Sequence, residues 1–291
     1  MFSFNVKSMN KINVLIYFLD FLFSFSAFLL FFSLLCFVFY TTNIFYSIPV
    51  LLITAVFMYR AGAFTHELCH QNYSRELQPF KLLWNYTMGI IISQHSIRFY
   101  KTHTLHHTTG IFGTPKDPQY VLINSSLWLK LKVLFIAPLL FPLYNFIICF
   151  LSFLGIFSSP FHSFLYPSYI NYSFKEAADI RLMESFSFFF HLFFLSLFPS
   201  TYFLFLLTII ISWYLSALRI PLEHNLKTHK EVTEYEDQIK DSYTHYHFLY
   251  VLLQPLGLRY HMSHHMFPKV PYHNLQLLDK MRRISDSQKE N

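Results

Sequence analysis

The stretch Lys101-Thr-His-Thr-Leu-His-His107 carries three histidines whose spacing matches one face of a helix. Residues three and four apart on a helix lie side by side, so these three imidazoles can converge on one point. Two further stretches, HELCH and HMSHH, repeat the pattern, and the three clusters hold eight of the chain's 16 histidines: His66, His70, His103, His106, His107, His261, His264 and His265. A single histidine on an apolar face is usually a hydrogen-bonded core residue. Three short clusters with helical spacing instead indicate one metal site.

The residue types indicate which metals such a site would hold. Neutral imidazole suits iron, zinc, copper and nickel, whereas magnesium, calcium and manganese prefer carboxylates. Eight imidazoles exceed what one ion can bind, so two ions are the simpler count. Carboxylate di-iron proteins use a Glu-x-x-His pair twice, and Glu67 with His70 supplies that spacing once. A histidine-rich pair of iron ions fits the pattern better.

The composition indicates a membrane protein. Of the 291 residues, 54% are hydrophobic and 13% are charged, whereas soluble domains carry about 25% charged residues. The net charge of +6 does not indicate nucleic acid as a partner, because the lysines and arginines flank apolar runs instead of forming a patch. Membrane orientation explains these charges better. The three cysteines form no disulfide framework.

Apolar runs predict about four transmembrane helices in two hairpins, at residues 14–40, 44–64, 185–198 and 201–218. As one helix, residues 185–218 would extend for roughly 50 Å, too long for one crossing of ~30 Å but adequate for two short ones. Residues 133–157 are also apolar but contain Pro138 and Pro142. We interpret residues 133–157 as a re-entrant or interfacial segment.

Topology and charge predict the orientation of these helices. The three clusters can share one site only if they lie on the same side of the membrane, so an even number of crossings must separate His107 from His261. Nine basic residues fall on that side and neither hairpin turn has any: Lys7, Lys11, Arg75, Lys81, Arg98, Lys101, Lys116, Lys130 and Lys132. By the positive-inside rule, this side is cytoplasmic. The chain 1–291 is therefore predicted to be a single all-α integral membrane domain with a cytoplasmic helical cap that carries the histidine clusters.

The three clusters, in this order and with apolar segments around them, resemble the histidine boxes of the membrane fatty acid desaturases. That superfamily also includes lipid hydroxylases and carotenoid ketolases. GTPKDPQY at 113–120 is similar to the stretch that follows the second box in the family. RIPLEH at 219–224 is similar to the element after the last span, and residues 255–275 are similar to the third box with its trailing segment. The resemblance covers residues 50 to 280 or so.

The resemblance implies a set of site residues. The ligands of two non-haem iron ions would be His66, His70, His103, His106, His107, His224, His261, His264 and His265, of which His224 is added by the resemblance alone. Glu67, Asp117 and Glu223 are candidates to accept the second N–H of ligating histidines, which would fix their orientation. Three further histidines near the third cluster are not expected to bind metal: His245, His247 and His273.

The resemblance also implies an activity, which is oxidation of a lipid acyl chain with O2 as co-substrate. The first expectation is fatty acid desaturation, and hydroxylation or ketone formation on the same scaffold is the alternative. Electrons would come from a separate donor of the ferredoxin or cytochrome b5 type. The protein would lie in a bacterial inner membrane or the endoplasmic reticulum.

Two other classes of function stay open. His66-Glu67-Leu-Cys-His70 is a literal H-E-x-x-H, the signature of zinc metalloproteases, with Glu67 as general base. A membrane protease would leave most of the other histidines unexplained. A metal transporter would need polar groups inside the membrane, and only Asp20 and His191 qualify. We also interpret the acidic run from Glu231 to Asp241 as a solvated loop.

Overall fold

The computed structural model describes residues 6–117, 119, 125–155, 172–224 and 235–287. Within these residues the chain forms helices joined by short loops. In chain order they are α1 (Val6–Met9), α2 (Val14–Thr41), α3 (Ile44–Gly62), α4 (Phe64–His70), α5 (Gln78–Trp84), α6 (Ser96–His106), α7 (Leu127–Phe153), α8 (Phe174–Leu197), α9 (Pro199–Glu223), α10 (Tyr235–Lys240), α11 (Tyr250–Leu253), α12 (His261–Met266) and α13 (Tyr272–Ser287). A π-helical turn, Asn85–Gly89, follows α5.

The α2–α3 hairpin is built from a long apolar run with a polar turn. Asn43 caps α3 by accepting a hydrogen bond from the N–H of Phe45 (3.0 Å). One face of α2 is buried, at Tyr17, Phe21, Phe28 and Leu35. The opposite face leaves large apolar side chains 61–67% exposed, at Leu15, Phe23, Leu30 and Phe37. An exposed apolar face of this size is typical of a lipid-facing surface.

The charges inside this hairpin compensate each other. Asp20 of α2 forms an ion pair with Arg60 of α3. Ser24 accepts a hydrogen bond from the same guanidinium at 3.0 Å. A charge within the apolar part of a membrane is tolerated where it is paired, so Asp20 has a structural partner.

The second hairpin, α8–α9, begins earlier than the sequence predicts. The predicted span at 185–198 is the end of α8, which starts at Phe174. A capping box formed by Ser173 and Glu176 starts the helix within the polar segment. The sequence prediction started this span at residue 185, where the charged residues end. The helix itself begins eleven residues earlier, at Phe174. The predicted span at 201–218 likewise extends to Glu223.

The segment predicted to be re-entrant or interfacial forms most of α7, which continues as a helix through Pro138 and Pro142. Each proline removes one backbone hydrogen bond, which neighbouring helices can compensate in a membrane protein. The two prolines therefore do not interrupt α7. By length and composition, five helical stretches could cross a membrane: α2, α3 with α4, α7, α8 and α9.

α7 packs against the α8–α9 hairpin. The ring of Phe188 on α8 lies 5.4–5.5 Å from three rings of α7, those of Phe146, Phe150 and Phe153. On α9, Tyr214 donates its hydroxyl to the carbonyl of Phe135 (2.6 Å). The adjacent Trp213 lies 4.4 Å, ring to ring, from Phe141. α7 therefore packs against both helices of the hairpin.

Helix α13 contacts α1, α2 and α4. The hydroxyl of Tyr272 donates to Asp20 (3.1 Å) and its N–H to Glu67 (3.3 Å). Asn274 donates to the carbonyl of Met9 at 2.8 Å. α13 therefore holds the third histidine cluster against the first two helices.

Candidate metal centre

Nine histidines gather in two groups, and in each group one ring nitrogen per residue lies within 4.8 Å of all the others. The first group consists of His66, His70, His103, His107 and His264. The second group consists of His106, His224, His261 and His265. All nine histidines that the sequence predicts as ligands are in one of these groups.

Two helices contribute to both groups. At the end of α6, His106 points to the second group, and His107, the residue that follows the helix, points to the first; on α12, His264 points to the first group and His265 to the second. Consecutive helical residues point about 100° apart, so each adjacent pair faces both groups. The rings of His107 and His265 lie 4.3 Å apart. The two groups are therefore neighbours within a single centre.

His224 reaches the second group from outside any helix. It follows the last residue of α9 and has an extended backbone (φ −128°, ψ 151°). Its Nε2 lies 3.1 Å from the Nε2 atoms of both His106 and His261. Because this histidine belongs to no helical repeat, spacing alone gives no signal for it, and only the family resemblance does.

The ring nitrogens face one another rather than other hydrogen-bonding groups. Five histidine pairs have Nε2 atoms 3.0–3.1 Å apart. The buried Nε2 atoms of His66 and His264 have no hydrogen-bond partner among the described residues. A buried polar atom left without a partner costs about 1–3 kcal/mol. Converging imidazole nitrogens suit iron, as they do zinc, copper and nickel, so the residues of the two groups fit two such ions.

Burial keeps these histidines in the form that binds metal. Desolvation, reinforced by neighbouring imidazoles, lowers the pKa values of six of them: His103, His107, His224, His261, His264 and His265. A histidine whose pKa is lowered from about 6.5 is neutral at pH 7. Neutral imidazole is the ligand form, so no proton has to be displaced.

Asp117 orients one histidine of the second group. The Nδ1 atom of His106 lies 3.1 Å from both carboxylate oxygens, so Nδ1 donates and Nε2 keeps its lone pair for the centre. The N–H groups of Gly113 (2.9 Å) and Gln119 (2.8 Å) also donate to this carboxylate. Burial raises the pKa of Asp117, but His106 and the two N–H groups outweigh it and leave the pKa lowered.

The other two acidic candidates differ from Asp117. An oxygen of Glu223 lies 3.7 Å from Nδ1 of His261, an ion-pair distance and not a hydrogen bond. Glu67 accepts hydrogen bonds from the Tyr17 hydroxyl and the Tyr272 N–H. Among the described residues no histidine donates to Glu67.

Gln238 is a residue of the centre that the sequence did not reveal. The described part of the acidic run forms α10, in which Gln238 is 2% exposed, while residues 231–234 lie outside the described residues. The amide nitrogen of Gln238 donates to the carbonyl of His106 (3.2 Å) and lies 3.3 Å from Nδ1 of His265. The solvated-loop interpretation is wrong for Gln238, because its amide pairs with the histidine clusters.

The three histidines expected not to bind metal belong to neither group. His245 stacks on Tyr250 with ring centroids 4.0 Å apart and donates from Nε2 to the carbonyl of Leu222 (2.7 Å). His273 accepts a hydrogen bond from the N–H of Asn13 (3.3 Å).

A cavity of about 680 Å³ reaches the centre, with His66, His103 and His106 in its wall. Most of the remaining wall comes from α3, α6, α7 and α9 and is apolar, with Met58, Phe141 and Ile220 among its side chains. Its volume is within the range of about 300–1,000 Å³ typical of small-molecule sites.

Comparison with known proteins identifies this arrangement. Residues 44–289 match the family described as Fatty acid desaturase, a range that contains both histidine groups. The chain belongs to this family. A ceramide hydroxylase from Caulobacter vibrioides (strain NA1000 / CB15N) is 26% identical to this chain over 254 residues. The aligned region covers 81% of this chain and 72% of that protein. No solved structure matches. Membership of the fatty acid desaturase family makes the protein an oxidoreductase.

Proposed function

We propose that this protein uses O2 to oxidise an unactivated C–H bond of a lipid acyl chain at a histidine-ligated di-iron centre. The observation that carries the proposal is the pair of histidine groups in the wall of an apolar cavity. Two iron ions, when bound, would supply the activation of O2 that removal of hydrogen from such a carbon needs. A separate electron carrier, of the ferredoxin or cytochrome b5 type, would deliver the electrons.

The residues around the centre would hold, orient and protect it. The first group would hold one ion and the second group the other. Asp117 keeps the proton of His106 on Nδ1. The side-chain amide of Gln238 contacts Nδ1 of His265. The apolar walls of the cavity would exclude water from the reacting carbon. Met58 and Phe141 lie in these walls and would pack against the acyl chain.

Two reactions are candidates for the oxidation. Desaturation removes a hydrogen atom from each of two adjacent carbons, and both oxygen atoms of O2 leave as water. Hydroxylation places one oxygen atom on carbon and releases the other as water. Both consume two electrons and two protons per O2. The sequence resemblance led us to expect desaturation first, whereas the name of the Caulobacter relative favours hydroxylation of an N-acyl lipid.

For the membrane topology, we infer four crossings, with α7 lying along the cytoplasmic interface. Both ends of α7 contact elements near the histidine groups. Near its start, Lys130 is buried and interacts electrostatically with Asp241, just after α10. Near its end, Ser152 donates to Glu184, which forms an ion pair with Arg98 of α6 at 3.1 Å. These contacts support α7 as a helix whose ends share one side.

Labelling tests this topology. In a variant whose native cysteines are replaced by alanine, single cysteines at positions 125 and 154 should both react with a membrane-impermeant maleimide from the cytoplasmic side. If α7 crosses the membrane, the two positions will react from opposite sides.

Lipid mass spectrometry tests the activity. The full chain is expressed in a host of known lipid profile together with an electron donor, and its lipids are compared with those of a host making a doubly substituted variant, H264A with H265A. A mass loss of two hydrogens identifies desaturation, and a gain of one oxygen identifies hydroxylation. H245A is a matched histidine control and should retain the activity. An unchanged lipid profile with iron-loaded protein would refute the proposal.

A further inference from the structure

The cavity wall includes polar side chains of α6 and α7, and we call this part of the wall the polar end. Asn145 of α7 lies in it and is only 2% exposed. Its side-chain amide has no hydrogen bond within the described part of the chain, although it is enclosed by protein. A buried amide that faces a cavity without a partner is available for a ligand.

The surroundings of Asn145 are fixed and electrically balanced. Arg98 of α6 shares this end of the cavity and is paired with Glu184, whose side chain is fully buried. The ring of Tyr144 lies 6.0 Å from the guanidinium of Arg98. Tyr172 donates its hydroxyl to the carbonyl of Arg98 at 3.2 Å. Because Glu184 balances the charge of Arg98, the polar end of the cavity should bind a neutral polar group more favourably than a free carboxylate or phosphate.

We propose that Asn145 recognises the linkage of the acyl chain and selects an N-acyl amide over an O-acyl ester. A side-chain amide offers one acceptor and two N–H donors. The N–H of a secondary amide in the substrate can donate to the Asn145 oxygen. An ester offers acceptors alone and would leave the Asn145 oxygen buried without a donor. This inference rests on the proposed function and deepens it by naming the linkage that the cavity selects.

The expected selectivity follows from that one unsatisfied oxygen. A buried acceptor without a partner weakens binding by about tenfold, within a range of about five- to 150-fold. Wild-type protein should therefore bind an N-acyl lipid about tenfold more tightly than an ester lipid with the same acyl chain. Replacing Asn145 by leucine should bring the two affinities within about twofold of each other, chiefly by weakening the amide.

The cavity contains its own reporter of binding. Trp213 lies in the wall, and a dibrominated acyl chain in the cavity will quench its fluorescence. The probes are a long-chain N-alkyl amide and the matching O-alkyl ester of the same dibrominated fatty acid, which differ only in the linkage, titrated into metal-free full-length protein in detergent. W213F shows which part of the quenching arises in the cavity. N43L makes the same Asn-to-Leu change at the far end of the α2–α3 hairpin and should keep the wild-type preference.

A second variant covers the case in which leucine disturbs α7. N145A removes the amide without adding bulk and should reduce the preference in the same way. Equal affinities of wild-type protein for the two probes would overturn the inference, and so would an unchanged preference in a folded N145L or N145A chain.

Activity separates this inference from the proposed function. When both lipids are offered with an electron donor, the amide should be oxidised with the lower KM. Equal oxidation of the two lipids would overturn the selectivity and leave the proposed function standing. A chain that binds the amide tenfold more tightly, yet oxidises no lipid when loaded with iron, would overturn the proposed function and support the recognition by Asn145.

Discussion

Asp117 gives the sharpest test of how the second histidine group is held. Each carboxylate oxygen of Asp117 lies 3.1 Å from Nδ1 of His106 and also accepts a backbone N–H, one from Gln119 (2.8 Å) and the other from Gly113 (2.9 Å). In D117N one of these oxygens becomes an NH2 group. Whichever way the amide is turned, that group faces a backbone N–H donor, and the one remaining oxygen must accept from His106 without a negative charge, so the support of His106 is weakened.

The magnitude follows from the role of an outer partner in metal binding. Loss of such a partner typically weakens metal binding 10–100-fold, which corresponds to about 1.4–2.8 kcal/mol. His106 belongs to the second group only. D117N should therefore weaken the iron of that group by 10–100-fold and leave the other iron nearly unchanged.

Chelator titration of iron-loaded protein in detergent measures this effect. Wild-type protein should release its two irons over a range of chelator concentration, and in D117N one midpoint should move and the other stay. D286N is the matched control, because Asp286 is half exposed and pairs only with Arg282 within the described residues. The reasoning is refuted if D117N keeps both wild-type midpoints, or if both midpoints move equally.

Four further predictions test other parts of the centre and its support. H264A and H265A should each reduce iron from about two to about one per chain, and the Mössbauer spectra of the remaining iron should differ between them; identical spectra would contradict the two-group arrangement. E67Q should retain two irons and residual lipid oxidation, because Glu67 pairs with tyrosines and not with a histidine, whereas a zinc protease would lose nearly all its proteolysis. E184Q should lower the free energy of unfolding by about 3–5 kcal/mol, because it removes the buried negative charge that faces the Arg98 guanidinium, and an unchanged melting temperature in detergent would contradict this. Metal-free protein should lose stability as the pH falls below about 6.5, because the unfolded chain then takes up protons that the buried histidines, with lowered pKa values, do not; a melting temperature that is equal at pH 8 and pH 5 would count against it.

The eight clustered histidines could be predicted because local helix geometry determines how they converge. His103 and His107 are one helical turn apart in any helix, so their spacing is readable without a structure. His224 and Gln238 have no such regularity. Each reaches the centre through tertiary packing, His224 from an extended residue after α9 and Gln238 from a short helix in a polar region.

Hydropathy located the apolar runs but not the helix ends. Charged residues of α8 such as Glu184 are paired inside the protein. A hydropathy average over neighbouring residues contains no information about these partners. The prolines of α7 have the opposite effect, because they suggest a break that the surrounding helices prevent. Pro138 and Pro142 both lie inside an unbroken helix. In both cases the missing information is a contact between residues distant in sequence.

The contribution of α12 to both histidine groups has a consequence for biosynthesis. Because α12 follows every other residue of the two groups along the chain, neither group can be completed until the ribosome has translated the third histidine cluster. The α2–α3 hairpin is synthesised earlier and inserts into the membrane before His264, which belongs to the same group as His66 and His70, has been made. The polypeptide thus becomes a membrane protein early and can become a metalloprotein only after translation. A premature stop codon before His261 would leave a chain that is inserted in the membrane but unable to complete either group.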